Sequence, residues 1–280
     1  MPAVTLPGRA YFSITGNDAE DFLQGLITTD MPSLPAGEAR AGALLTPQGK
    51  ILFDFLVSRA SSGGFVIETT EEQRDLLVKR LTMYKLRAAV EIAPLPETQT
   101  TVSWGDGAEG LVDGRFAKAG QTLLRRPGSG GTETTVAYDA LRIACGVVES
   151  GQDYALSDAF PHDVLLDLSG GLSFRKGCYV GQEVVSRMQH RSTTRKRPVI
   201  LRADVPLPAA GTEISAEGKA IGTLGTVAGN DGLAIIRIDR AAEAMRAGAP
   251  IFAGDVEVSA RLPEWTGLSF PGDETEAPGP

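Results

Sequence analysis

The alternation of apolar and polar positions lays out the first part of the chain. Tyr11 to Thr15 reads as a short strand. After Gly16, the apolar residues Ala19, Phe22, Leu23, Leu26 and Ile27 fall at helical spacing behind Asn17 or Asp18 as a cap. Ala41 to Thr46, the turn Pro47-Gln48-Gly49 and Lys50 to Arg59 predict a hairpin whose second arm alternates Ile51, Phe53, Phe55 and Val57 against Leu52, Asp54 and Leu56. Asp54 thus shares a face with two leucines, where a carboxylate must lie at an open edge or meet a partner in a pocket. A further strand, Gly64 to Thr69, leads into Thr70-Glu71-Glu72-Gln73, a capping box for a helix running to about Leu86. Helices on one face of a mainly antiparallel sheet define the α+β class.

From Ala93 to Gly131 the chain is rich in Pro, Gly and Thr, and only Thr100 to Trp104 and Gln121 to Arg126 read as short strands. Helical spacing returns from Val136 to Val148, with Val136, Ala140, Leu141, Ala144 and Val148 as its stripe. After Pro198, β-type runs at Val199 to Ala203, Glu213 to Ala216, Ala220 to Val227, Leu233 to Ile238 and Pro250 to Ala260 alternate with Gly, Asn-Asp and Pro turns, the pattern of a small barrel. A boundary near Arg197 divides residues 1–197 from a barrel at 198–268, and the acidic, Pro/Gly-rich stretch 269–280 is expected to be disordered.

The chain has 280 residues, which at roughly 150 per domain gives a prior of two domains. With 42% hydrophobic and 22% charged residues it has globular composition, and no apolar run is long enough for a helical membrane span. Cys145 and Cys178 lack the spacing of a zinc site, and two cysteines with two scattered histidines (His162 and His190, neither read as a general base) lack the thiolate set of a permanently held iron-sulfur cluster. No metal site is expected. The start of the chain has no secretory pattern, so a reduced, cytoplasmic setting is expected.

The net charge of -8 is unevenly spread. Between Arg175 and Arg197 seven basic residues face one acid, Glu183, while the remainder carries 20 basic and 34 acidic residues. Such an island binds an anion or forms a solvated face. The acidic remainder and the lack of a recognition motif argue against direct nucleic-acid binding. Within the island, Gly177 and Gly181 bracket Cys178-Tyr179-Val180 as a tight loop feeding a helix that starts near Gln182. Arg175 and Lys176 beside Cys178 favour a thiolate, and a buried structural cysteine is the competing reading. Gln182 is a possible cap, and Glu183 suits the positive end of the helix. Cys145 sits on an apolar helical pattern and reads as core.

KGCYVGQE at Lys176 to Glu183, preceded by GGLSF and followed by RKR at Arg195 to Arg197, resembles the signature of the YgfZ family of folate-binding iron-sulfur cluster assembly factors. ITGNDAEDFLQGLITTD, TPQGKILFDFLVSR and YKLRAAVEI extend the resemblance over most of the chain. The wider superfamily is that of the glycine-cleavage T-protein, a tetrahydrofolate-dependent aminomethyltransferase. The resemblance implies three β-rich subdomains around a central channel that takes a folate, the last a small β-barrel. It also implies folate contacts from Asp54, at the position of the transferase's catalytic aspartate, from Tyr138, where a relative has a folate-binding tryptophan, and from Arg142 in LRIACG. Arg9 stands at the other tryptophan position, and Ser192 replaces the glycine usual before RKR. The role implied is an accessory factor that uses tetrahydrofolate and Cys178 in assembly or repair of four-iron, four-sulfur clusters. Its partners would be iron-sulfur assembly proteins or client iron-sulfur enzymes, and tRNA modification would be affected indirectly. Arg195, Lys196 and Arg197 would attract the glutamate tail of folate or an acidic partner. The alternatives are a tetrahydrofolate-dependent one-carbon transferase in which Asp54 orients the substrate amine, and a scaffold that has lost folate binding.

Overall fold

The computed structural model describes residues 2–191 and 194–272, so Ser192 and the end of the acidic tail lie outside the described residues. The chain forms two compact units. The first runs through Ala137 and takes in Leu156–Pro161 and Leu166–Arg187; the second takes Tyr138–Ala155, His162–Leu165 and the chain from Met188 on. The first barrel strand begins at Lys196, and the second unit also recruits two earlier segments.

The first unit holds β1 (Ala3–Pro7), β2 (Arg9–Thr15), α1 (Ala19–Gln24), β3 (Glu38–Leu45), β4 (Ile51–Arg59), β5 (Phe65–Thr70), α2 (Glu71–Lys85), β6 (Glu91–Leu95), β7 (Gln99–Trp104), β8 (Leu111–Asp113), α3 (Gly114–Lys118) and β9 (Leu123–Pro127). Its nine strands run in the order β1-β7-β9-β8-β3-β4-β5-β2-β6. They are antiparallel except where β3 meets β8 in parallel, at Glu38↔Val112 and Ala39↔Asp113. The expected hairpin is β3–β4, with Ala43 opposite Asp54. Phe53, Phe55 and Val57 from β4 join Phe12, Ile14, Leu23, Ile27, Leu77 and Leu81 in one apolar core under α1 and α2. Pleating turns Asp54, Leu56 and Ser58 to the opposite face, beside Tyr11 and Glu68, the residues paired across β2, β5 and β4.

Two expected caps form differently. Asp18 precedes α1 without capping it, and its carboxylate accepts from the Ala89 amide at 2.7 Å. Thr70 makes no side-chain cap on α2, and Gln73, the other half of the expected box, turns away to Asp54. Helix α4 (Thr135–Cys145) is present, but Tyr138, Arg142, Ile143 and Cys145 are its buried positions while Val136 is exposed. The predicted apolar stripe is displaced because Arg142 is held inside by carboxylates. Gly146, at φ 70° and packed on Pro263, ends the helix before Val148. Helix α5 (Gln182–His190) starts where the sequence predicts.

In the second unit, β10 (Lys196–Arg202), β11 (Glu213–Ala216), β12 (Lys219–Ala228), β13 (Asp231–Arg237), β14 (Ile251–Ala253) and β15 (Val256–Arg261) form a closed barrel in the order β10-β13-β12-β11-β14-β15. Pro250 to Ala260, read as one strand, is the β14–β15 hairpin. Helix α6 (Ile238–Arg246) was not predicted; its alanines Ala241 and Ala244 join the barrel core. Leu268 and Phe270 pack on that core, so the chain stays attached beyond the point where disorder is expected.

A buried charge cluster crosses the first unit. Glu68 accepts from Arg125 Nη2 at 2.5 Å, Arg9 Nε at 2.9 Å and Thr100 Oγ1 at 2.8 Å; Arg125 also reaches Asp113 at 3.1 Å. Tyr11 shares a hydrogen bond with Thr100. Burial alone would raise the Glu68 carboxyl, but Arg125 and Arg9 hold it well below its ordinary range. Glu68→Gln should therefore cost about 3–5 kcal/mol in chemical denaturation by leaving buried guanidinium charge uncompensated. Because the folded carboxyl lies below its free value of 4.5, the stabilisation is complete above that pH and lost as pH falls below it, a loss the variant should not share.

Candidate functional site

The segment from Gly171 to Gln182 is an irregular loop fixed at both ends to the first unit. On the entry side, Thr28 Oγ1 donates to the Gly171 carbonyl at 2.6 Å and the Ser173 amide donates to the Thr28 carbonyl at 3.0 Å. Ser173 Oγ then accepts from the amides of Arg175 and Lys176, which turns the chain sharply. Lys176 is buried, and its ammonium donates to the carbonyls of Ile27 and Thr29, each at 2.7 Å. Burial brings its pKa down to about 8, with Asp30 opposing the shift.

On the exit side, Tyr179 is buried with its ring centroid 5.3 Å from the Lys176 ammonium, and burial pushes its phenol up to about 12. Gln182 Oε1 reaches back to the Tyr179 amide at 3.4 Å. Gly181 adopts φ 81°, and a Cβ there would lie 2.5 Å from the Thr46 carbonyl oxygen, so both backbone and space demand glycine. Gly177 has no such constraint. Val185 anchors the start of α5, and Glu183 stays outside in an exposed pair with Arg187 at 2.7 Å. Between the two pinned side chains, Cys178 is exposed.

The structure thus redistributes the expected roles. Lys176 does not sit beside the thiol as a free cation; it is spent on two backbone carbonyls, and its contribution is to hold the loop. Arg197 is likewise no free anion ligand, because its side chain is buried and donates to the His162 carbonyl at 2.7 Å. Arg195 and Lys196 are exposed. His162 is buried with Nε2 at 3.1 Å from Gln189 Oε1. Cys145 is core, its thiol pKa raised by burial, and its carbonyl accepts from the Trp265 indole.

The folate contacts implied by resemblance fare unequally. Asp54, half-buried in the first unit, receives Gln73 Nε2 at 2.9 Å on Oδ1, while its own amide donates to Gln73 Oε1 at 3.2 Å. Tyr138 and Arg142 lie together in the second unit. Arg142 is fully buried; it pairs with Asp153 at 2.7 Å and Asp139 at 3.0 Å and donates to Gln152 and Thr226. The carboxylate that its fork would hold in a ligand is already supplied by the protein. Tyr138 is buried, its hydroxyl donates to Glu149 at 2.7 Å, and its ring lies 5.8 Å from the Arg142 guanidinium. Both residues are thus buried and partnered within the second unit, while Asp54 is half-buried in the first. Arg9 is accounted for by its pair with Glu68. The sequence reading missed the Arg9–Glu68–Arg125–Asp113 cluster, for which the signal was an acid on a strand face shared with Leu56. It also missed Gln73 as the partner of Asp54.

Residues 9–106 match the GCVT N-terminal domain and residues 195–268 the CAF17 C-terminal beta-barrel domain. The glycine cleavage system aminomethyltransferase T from Bartonella henselae superposes with a TM-score of 0.72 at 15% identity, over 94% of this chain and 85% of that one. The fold is therefore that of the aminomethyltransferase-like proteins, mixed α/β with a closed C-terminal barrel. Mouse mitochondrial iron-sulfur cluster assembly factor IBA57 is 30% identical over 93% of this chain and 84% of its own, and the human protein is 29% identical with the same coverage. The chain belongs to the CAF17/IBA57-type family.

Two predictions follow the geometry of the loop. Cys178 should be alkylated at neutral pH roughly tenfold or more faster than Cys145, measured by peptide mass spectrometry of the native protein. Because the Lys176 value of about 8 lies below the free value of 10.5, the unfolded chain binds that proton more tightly. The charged ammonium therefore costs stability below pH 8, and that cost is relieved as pH rises from 8 to 10.5; the native protein should gain on Lys176→Met across this interval in chemical denaturation.

Proposed function

We propose that the protein is a folate-binding accessory factor for the assembly or repair of four-iron, four-sulfur clusters in other proteins, without turnover of its own. The observation that carries this reading is the exposed Cys178, presented between two buried side chains in a chain of the CAF17/IBA57-type family. A thiol held out on a pinned loop can meet a partner protein or a cluster passed between proteins. The cluster is cargo in this reading, and its receivers are iron-sulfur enzymes, including those that modify tRNA. The proposed setting is cytoplasmic, and the KGCYVGQE motif resembles that of the YgfZ family.

Tetrahydrofolate or a derivative is the proposed ligand. Asp54 supports it, as a half-buried carboxylate oriented by Gln73 at the position that the resemblance gives to the transferase's catalytic aspartate. Arg142 and Tyr138 are engaged by Asp153, Asp139 and Glu149 within the second unit, and the reading does not rest on them.

Tetrahydrofolate at about 100 times its dissociation constant should stabilise the protein by roughly 2.7 kcal/mol, a shift of several degrees in Tm, and Asp54→Ala should reduce it. Absence of a shift at saturation refutes the folate part. In cells lacking the protein, Cys178→Ser should fail to restore iron-sulfur enzyme activity although it folds and binds folate. Turnover of methylene-tetrahydrofolate with an amine donor would instead establish the one-carbon transferase.

A further inference from the structure

The first unit has a cavity of about 790 Å³ whose wall includes the residues leading into the Cys178 loop, Ser173, Phe174 and Arg175. Lys118 at the end of α3 also lines it, and Pro35, Val112 and Leu172 give the lining an apolar part. That volume suits a small organic ligand, for which pockets of roughly 300–1,000 Å³ are usual. Cys178 lies three residues after Arg175 in the chain.

The charges around the cavity do not cancel. Glu38 is engaged by Arg40 through two hydrogen bonds, at 2.7 and 3.0 Å, and Arg40 also donates to Ser33. Asp30 accepts from the Gln24 amide at 2.8 Å. Lys118 and Arg175 are both exposed, and neither has an ion-pair partner among the described residues. They are carried by separate segments of chain, with apolar surface also in the lining. This pattern asks for two anionic groups joined by a carbon skeleton. A single phosphate is less well served: α3 begins at Gly114 in the cavity wall, but the Asp113 carboxylate already accepts from the Arg115 amide at 3.1 Å at that helix end.

We propose that this cavity binds a small organic dicarboxylate, with Arg175 and Lys118 each taking one carboxylate, and that its occupancy is felt at the adjoining thiol loop. Guanidinium matches a carboxylate through two parallel hydrogen bonds, and the ammonium supplies a point charge for the second group. Asp54 is not among the residues lining this cavity, so the site is distinct from the one proposed for folate.

The test uses the full-length protein with glutarate and adipate as probes, and with butyrate and inorganic phosphate as comparisons. Binding is read by titration calorimetry and by the rate of Cys178 alkylation. The expected result is that both dicarboxylates bind and slow alkylation, that butyrate binds about tenfold more weakly, and that Arg175→Gln and Lys118→Gln each weaken dicarboxylate binding about tenfold. Both variants change exposed side chains, and an unchanged Tm will show that they fold. Absence of dicarboxylate binding, binding that ignores both substitutions, or phosphate binding as tight as the dicarboxylates each overturns the site. Binding that leaves the alkylation rate unchanged overturns its link to the thiol loop. A tetrahydrofolate shift that persists in both variants leaves the folate reading standing when this one fails.

Discussion

The nine-stranded sheet of the first unit is joined across its middle by very little backbone. In the ladder, β1, β7, β9 and β8 join β3, β4, β5, β2 and β6 through the short parallel pairing of β3 with β8. The tie between the halves is made by side chains. Glu68 and Arg9 stand on one half, Arg125, Thr100 and Asp113 on the other, and the cluster they form is buried. Removing charges from water is costly, and only mutual pairing with full hydrogen bonding makes this arrangement tolerable. It therefore acts as a registration device: few alternative packings of the two halves bring all of these groups together.

Pairing of this kind also governs what is left for function. Arg142, Arg197 and Lys176 all look like ligand-binding cations in the sequence, and all three are buried against acceptors within the fold. Charge in a motif is thus no guide to charge at a surface. What the motif delivers is shape: Lys176 and Tyr179 face inward, Gly181 lets the backbone pass close to Thr46, and Cys178 faces out. Arg175, Arg195 and Lys196 are exposed, with no ion pair among the described residues.

Much of the fold was legible because period and turn chemistry agree. The Pro47-Gln48-Gly49 turn with an alternating second arm is the β3–β4 hairpin, and the Gly-punctuated β runs after Pro198 are the barrel. The misses have one physical origin, side chains whose partners are remote in sequence. Gln73 belongs to a capping box by local rules but bonds to Asp54 instead, and Arg142 reverses the buried face of α4 through Asp153. Helix α6 hid because alanine is a weak marker in a stripe of apolar residues. At the candidate site, the start of α5 and the glycine at 181 were readable, whereas the sequence left Cys178 open between a reactive and a buried thiol. The burial of Lys176 was not, because its acceptors are main-chain carbonyls near the other end of the chain.

Those acceptors impose an order on biosynthesis. Lys176 follows Ile27 by 149 residues. At ordinary translation speeds of about 5–20 residues per second, the Ile27 and Thr29 carbonyls wait roughly 7 to 30 s on the ribosome before their lysine exists. Until then the turn after α1 has nothing to close over it, and the thiol loop has no seat. Display of Cys178 is therefore a late event, coupled to closure of one of the longest loops in the first unit. A truncated or stalled chain that lacks this segment leaves the seat open and carries no displayed thiol with which to engage a partner prematurely.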